Sequence, residues 1–227
     1  MNYSSENFVE GKAANKLALQ RKLNLPEDPD APLFLWPSRL DPVQKGCDLL
    51  AHILYELTHQ HPNIQIAIIA NGAYQSVFHD IARFHDLYRN VAVVDFDDSL
   101  SHLGYAAADF MLMPSLFEPC GLPQMISAMY GTLSVVHDTG GLHDTIEHLD
   151  IAANKGNGFV FETFDPGGLR WAVDQAMDFH SQPAESRHPQ IARVMEDGAA
   201  RFNHSVTASE YVDIYEKMLQ RPLLNAF

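Results

Sequence analysis

Six short apolar runs punctuate the chain, each ending in a polar turn: LFLWPS (33–38), IQIAIIAN (64–71), VAVVDF (91–96), FMLMPS (110–115), LSVVHDT (133–139) and GFVFET (158–163). Their apolar character is nearly continuous rather than alternating, which predicts strands covered on both faces. The segments between them keep helical spacing. In GCDLLAHILYELTHQ the positions Leu49, Leu50, Ile53, Leu54 and Leu57 recur at three- and four-residue steps. AYQSVFHDIARFHDLY and SLSHLGYAAADF follow the same rule. Asp165 and Pro166 form an N-cap and N1 pair that starts a helix at PGGLRWAVDQAMDFH. Two further helices are expected near 188–202 and 206–220, and a helical lead-in, GKAANKLALQRKLNL, precedes the linker LPEDPDAP (25–32).

Strands alternating with helices predict an α/β fold built on a doubly wound parallel sheet, Rossmann-like, with right-handed crossovers. The expected organisation is a single domain over 1–227, with a lead-in helix in 1–25 packed on the sheet edge and C-terminal helices over 188–222.

The length of 227 residues suits one well-buried domain, and 46% hydrophobic with 19% charged residues is a globular balance. The net charge of −14 without a basic run argues against a nucleic-acid partner, whose phosphates need concentrated Lys and Arg. No run reaches the roughly 20 apolar residues of a membrane helix, and MNYSSENFVEGK has no apolar signal core. With two cysteines, Cys47 and Cys120, the chain reads as a protein of a reducing compartment, the cytoplasm.

In such a sheet ligands bind beyond the carboxyl ends of the strands. The residues just after the runs are SRLDPVQKG, NG, DFDDS, LFEPCGLPQ and TGGLHD, a polar, glycine-rich set that includes Arg39, Lys45 and Glu118. CGLPQM and TGGLHDT each open a helix, so backbone N–H groups and two full cations gather at one edge of an acidic chain. A pyrophosphate fits that gathering, and Glu118 fits the hydroxyls of a sugar better than a phosphate. Each feature alone also has a plainer reading: a turn, a capped helix start, or solvated surface cations.

PSLFEPCGLPQMISAMYGTLSVVHDTGGLHDTI closely resembles the signature of bacterial glycogen synthases and plant starch synthases, retaining glucosyltransferases of the two-Rossmann-domain (GT-B) type. SRLDPVQKGCDLL and NYSSENFVEGKAANKLALQRKLNL are similar to further segments of the same family, and the resemblance spans residues 1 to about 180. It implies that Arg39 and Lys45 neutralise the departing diphosphate and that Glu118 holds the donor glucose. It further implies that Cys120, Gly121 and Leu122 form the turn against glucose and phosphate, that Thr139, Gly140 and Gly141 form the second glycine turn, and that Phe96 lies against the adenine. The implied reaction transfers glucose from ADP-glucose to the non-reducing end of an α-1,4-glucan with retention and without cofactor or metal. UDP stays open as the nucleotide.

The chain departs from the family pattern at several positions. Val43 reads as an insertion between Arg39 and Lys45, which re-aims Lys45. Pro123 donates no N–H, Ile126 replaces a second acid, and His137 and Asp138 stand where the family is basic. The expectation is a donor-binding half lacking the N-terminal acceptor domain, inactive alone, with the glucan reached through that absent domain. The apolar face Tyr211, Ile214, Tyr215 and Met218 of the last helix would then favour self-association. Two alternatives belong to other classes: a non-catalytic nucleotide-sugar-binding or regulatory module, and an enzyme using Cys120 as nucleophile. The histidines of HQH (59–61) are too few for a zinc site, and Trp36, Trp171 and Cys47 read as packing residues.

Overall fold

The computed structural model describes residues 1–222, so 223–227 of the expected domain lie outside the described residues. Strands β1 (Leu33–Trp36), β2 (Gln65–Ile69), β3 (Val91–Val94), β4 (Phe110–Met113), β5 (Leu133–His137) and β6 (Gly158–Phe161) form one sheet in the order β3-β2-β1-β4-β5-β6. Every pairing is parallel. The nine helices of the described residues are α1 (Phe8–Leu23), α2 (Cys47–Gln60), α3 (Gln75–Phe84), α4 (Asp98–Ala107), α5 (Pro123–Met129), α6 (Gly140–Thr145), α7 (Pro166–Ser181), α8 (Ala184–Arg201) and α9 (His204–Leu219).

The continuous apolar runs have a direct cause. On β1, Phe34 and Trp36 enter one core with Leu50 and Leu54 of α2, while Leu33 and Leu35 enter a second core on the opposite face. Successive side chains of a strand point to opposite faces, so a strand with helices on both sides needs apolar residues at every position. The Cys47 thiol lies in the first core, where burial pushes its pKa up to about 12. The Asp165 carboxylate accepts the Gly168 N–H at 2.7 Å, with Pro166 at the head of α7, as the sequence predicts.

Three expectations need correction. The lead-in α1 does not sit on the sheet edge; it packs against α4 and on the strand starts through a buried polar face. The Lys16 ammonium pairs with Asp109 at 2.6 Å and donates to Ala31 O, Lys12 donates to Tyr130 O and Thr132 Oγ1, and Gln20 bonds Asp28 O and Gln65 Oε1. A helix that satisfies carbonyls at strand ends carries polar residues inward, so hydrophobic spacing could not place it. Second, α8 starts at Ala184 rather than near 188, with Pro189 inside it. Third, Trp36 is core, but Trp171 is half exposed, stacked on His148. In α9 no residue is buried, and Tyr211, Ile214, Tyr215 and Met218 are exposed.

Candidate active site

The chain moves outward from β1 toward β2 and β3, and from β4 toward β5 and β6. The crossovers diverge between β1 and β4, leaving a crevice at the carboxyl ends of these two strands. Four loops close around it.

The first, after β1, is shaped by Asp41. Its carboxylate accepts the N–H groups of Val43 and Gln44 at 3.0 and 2.7 Å, and these bonds hold its pKa below the usual carboxylate range. Val43 is absorbed as an exposed bulge of this turn, and Lys45 still reaches inward to place its ammonium 2.6 Å from Glu118 Oε2. Both side chains of that pair are nearly buried, at 13% and 11% exposure. Gly46, at φ +65°, brings its backbone against Pro114 O, where no side chain would fit. Leu116 N–H donates to Gln44 O at 2.8 Å, tying the first loop to the one after β4. Arg39 stands exposed at the start of the first loop, its guanidinium without hydrogen bond or ion pair among the described residues.

The loop after β4 carries Glu118, whose Oε2 also accepts from Ser115 Oγ at 3.2 Å. Its backbone meets the loop after β5 with almost no space between. Gly141 N–H donates to Glu118 O at 2.8 Å, and a side-chain carbon on Gly140 or Gly141 would collide with Glu118 O or Cys120 O. The Gly141 amide is therefore spent within the protein rather than offered to a ligand. Gly121 adopts φ +74° over the buried Gln124, whose Nε2 donates to Cys120 O at 3.0 Å and Gly121 O at 2.9 Å. Cys120 is exposed, with its thiol 3.7 Å from Gly121 O, and among the described residues no histidine bonds that thiol. Leu122 is exposed ahead of α5, and Pro123 occupies the first turn, where a missing N–H costs least. The helices α5 and α6 have seven and six residues, so what they bring is local N–H groups more than a long macrodipole.

The remaining departures resolve structurally. His137 is buried, with Nδ1 2.8 Å from Ser115 O, and packs on Phe161 and Phe164. Asp138 Oδ1 lies 2.7 Å from His143 Nδ1, and that hydrogen bond raises the His143 pKa. The acid beside the glycine turn thus has a hydrogen-bond partner of its own. Ile126 packs against the second core. On the far flank Asn71, after β2, accepts Phe96 N–H at 3.0 Å, leaving the Phe96 ring half exposed on the same edge.

The structure therefore joins Lys45, Glu118, Cys120, Gly121, Gly140 and Gly141 in one cluster, with Thr139 heading α6. Arg39 and Phe96 share the edge without touching that cluster. Three residues that hold the site escaped the sequence reading: Asp41, Ser115 and Gln124. Asp41 carried a usable signal, an Asp-Pro that opens a turn. Among the described residues no group of three or more His, Cys, Asp or Glu is placed to hold a metal, and no helix is long and apolar enough to cross a membrane. His61 instead contacts Asp174 at 3.1 Å.

The model for "Glycosyl transferases group 1" matches residues 18–193. A glycogen synthase of Clostridium perfringens is 37% identical over 93% of the chain, and one of Moorella thermoacetica 40% identical over 97%. The chain spans 43–44% of the length of these relatives. The catalytic domain of starch synthase IV from Arabidopsis thaliana, solved with ADP and acarbose, superposes with a TM-score of 0.83 at 30% identity, over 97% of this chain and 45% of that one. The chain is glycogen/starch synthase-like, and it belongs to the group 1 glycosyl transferases.

Proposed function

We propose that the chain is the donor-binding half of a glucosyltransferase that moves glucose from ADP-glucose to the non-reducing end of an α-1,4-glucan with retention, in the cytoplasm. The observation that carries this reading is the convergence of Lys45, Glu118 and the Gly140–Gly141 turn at the divergence of β1 and β4. Supporting it are the ADP in the starch synthase structure and the glycogen synthases among the relatives.

The chemistry follows from the charges. Breaking the bond from glucose to the diphosphate leaves negative charge on the departing oxygen. A preorganised cation beside it lowers the barrier without having to reorganise. Lys45 is held at that place by Glu118, and Arg39 is unpaired and close enough in sequence to add a second charge from the same loop. Glu118 keeps lone pairs for sugar hydroxyls while it orients Lys45. The backbone of Cys120 and Gly121, bent by Gln124, faces the sugar, the exposed Leu122 borders it, and the Phe96 ring offers a face for the base. The chain spans 43% of the length of the Clostridium perfringens relative, and this reading assigns the acceptor site to the remainder.

A second reading, a non-catalytic regulatory module that has kept the sheet but not the donor site, draws on the Lys45–Glu118 pair: a phosphate must compete with a carboxylate already in contact. Titration calorimetry with ADP, ADP-glucose and UDP decides between them. Binding of ADP and ADP-glucose, with UDP weaker, is expected, along with no glucosyl transfer by the 227-residue chain alone. Absence of heat for all three ligands would remove the donor-binding reading.

A further inference from the structure

At the opposite, amino-terminal edge of the sheet a cavity of about 370 Å³ opens between α1, the end of α7, the start of α8 and the beginnings of β4 and β5. Three cations line it: Lys12, Lys16 and Arg187. Of these only Lys16 has a carboxylate partner, Asp109. Lys12 is 6% exposed, and its ammonium donates to two neutral acceptors, Tyr130 O and Thr132 Oγ1. An ammonium has three protons to donate, so this set leaves one. Arg187 Nε is buried without a hydrogen-bond partner, and among the described residues its guanidinium makes no ion pair. A buried donor without a partner and a buried cation without a counter-charge are both costly. The wall also carries the carboxylates of Asp30 and of Asp109, the latter paired with Lys16 and acting on Lys12, so what an anion would satisfy is the unpartnered Arg187 Nε–H and the remaining Lys12 proton.

We propose that this cavity binds a small phosphate-class dianion, inorganic phosphate or a phosphate monoester, held between Arg187 and Lys12. Two cationic donors from different elements, α8 and α1, suit a tetrahedral oxyanion with several oxygens. The apolar walls from Phe8, Phe179 and Ile191 leave room for the body of an ester. The site is separate from the candidate active site, which lies beyond the other ends of the same strands.

Burial lowers the Lys12 pKa to about 7. The charged or titratable groups around it are Tyr3, Lys16, Asp109 and Tyr130, with Asp30, His180, Arg187 and His188 on the cavity wall. The His180 and His188 pKa values are likewise lowered, mainly by burial. A bound dianion favours the charged form of all three groups, while the ligand itself loses its second proton only at about pH 6–7; above that range, where the ligand is already a dianion, binding takes up protons and weakens as pH rises.

The test is calorimetric titration of the full chain with inorganic phosphate and with glycerol phosphate, in buffers of different ionisation enthalpy. At about pH 8, where the ligand is a dianion, wild type should bind with proton uptake, and Arg187→Gln should weaken binding by about tenfold or more, the usual worth of a charge-assisted hydrogen bond. Lys22→Met, at an exposed lysine of α1 that lines neither site, should bind as wild type does. In parallel, the Arg187 Nε–H resonance of wild type should move on titration with phosphate, a readout independent of how well the variant folds. Wild-type titrations without heat or shift would overturn the proposal, as would an unchanged affinity in Arg187→Gln or loss of binding in Lys22→Met. Tighter binding of glycerol phosphate than of phosphate would mark the occupant as an ester, and the reverse would mark it as the free ion.

Discussion

Replacing Gly141 by alanine tests the frame of the candidate active site at its tightest point. The added methyl would overlap Cys120 O and stand 2.5 Å from the Cys120 carbonyl carbon and 2.6 Å from its Cα. Non-bonded carbons rest about 3.5–4.0 Å apart, so the two loops must separate by about an ångström. That movement strains or breaks the Gly141 N–H to Glu118 O bond, 2.8 Å long in the native chain. Overpacking of this kind costs about 1–3 kcal/mol and a lost buried hydrogen bond about 1 more, for a total of about 2–4 kcal/mol. In a chain of 227 residues the melting temperature should fall by about 5–15 °C. Glu118 and Cys120 would be displaced with the loop, so ADP affinity should drop by about tenfold, the effect of losing roughly 1.4 kcal/mol of fit. Differential scanning calorimetry and ADP titration on one preparation read both effects. Gly167→Ala is the control, since a methyl there meets only Asp165 Oδ1, at 3.3 Å, and the expected change is within about 0.5 kcal/mol. If Gly141→Ala melted within about 1 °C of wild type and bound ADP equally well, the claim that these loops are locked backbone to backbone would be wrong.

Lys45→Met leaves the Glu118 carboxylate nearly buried with only the Ser115 hydroxyl, and should weaken ADP binding by about tenfold or more on titration. Lys16→Met leaves the Asp109 carboxylate, 21% exposed, with the Leu33 N–H and the more distant His180 as its partners, and should cost about 1–3 kcal/mol in urea unfolding. Burial alone would raise the Asp109 pKa, but Lys16, His180 and the hydrogen bonds from Lys16 and Leu33 N–H outweigh it and depress it; its stabilisation is therefore present above the unfolded carboxyl pKa and lost as pH falls through the folded one. For His143 the sign is opposite. Its hydrogen bond to Asp138 raises its pKa, so its contribution is full below the unfolded value of 6.5 and fades as pH rises through the folded value. An NMR titration of the ring should show a midpoint above 6.5 that returns toward it in Asp138→Asn. Cys120→Ser should bind ADP within about twofold of wild type, and a transfer activity abolished by that change alone would revive the thiol as a nucleophile.

How much of this was legible in the sequence follows from what each signal reports. The six strands were visible because each face of β1 feeds a different core, so Leu33 to Trp36 had to be apolar throughout. Glu118, Gly140 and Gly141 were visible as a motif, though their mutual contact was not. A glycine announces that something comes close without saying what, and here it is the carbonyls of Glu118 and Cys120. Lys12, Lys16 and Gln20 were unreadable as buried residues, because their partners are backbone carbonyls and distant side chains such as Asp109 and Gln65. Gln124 was hidden for the same reason: its amide serves two carbonyls of a turn that exists only after folding. Val43 read as a disturbance to Lys45, and the Asp41 carboxylate that accommodates it is a local solution no spacing rule contains.

The contacts at Gly46, Gly140 and Gly141 run from main chain to main chain, and they involve none of the side chains that project from the rim. Val43, Phe96 and Leu122 stand outside that framework, each more than half exposed. If the donor-binding proposal holds, preference for one base or one sugar would drift through these tips by ordinary substitution while the glycines stay put. Within such a scaffold, inheritance of a fold and change of diet are governed by different residues.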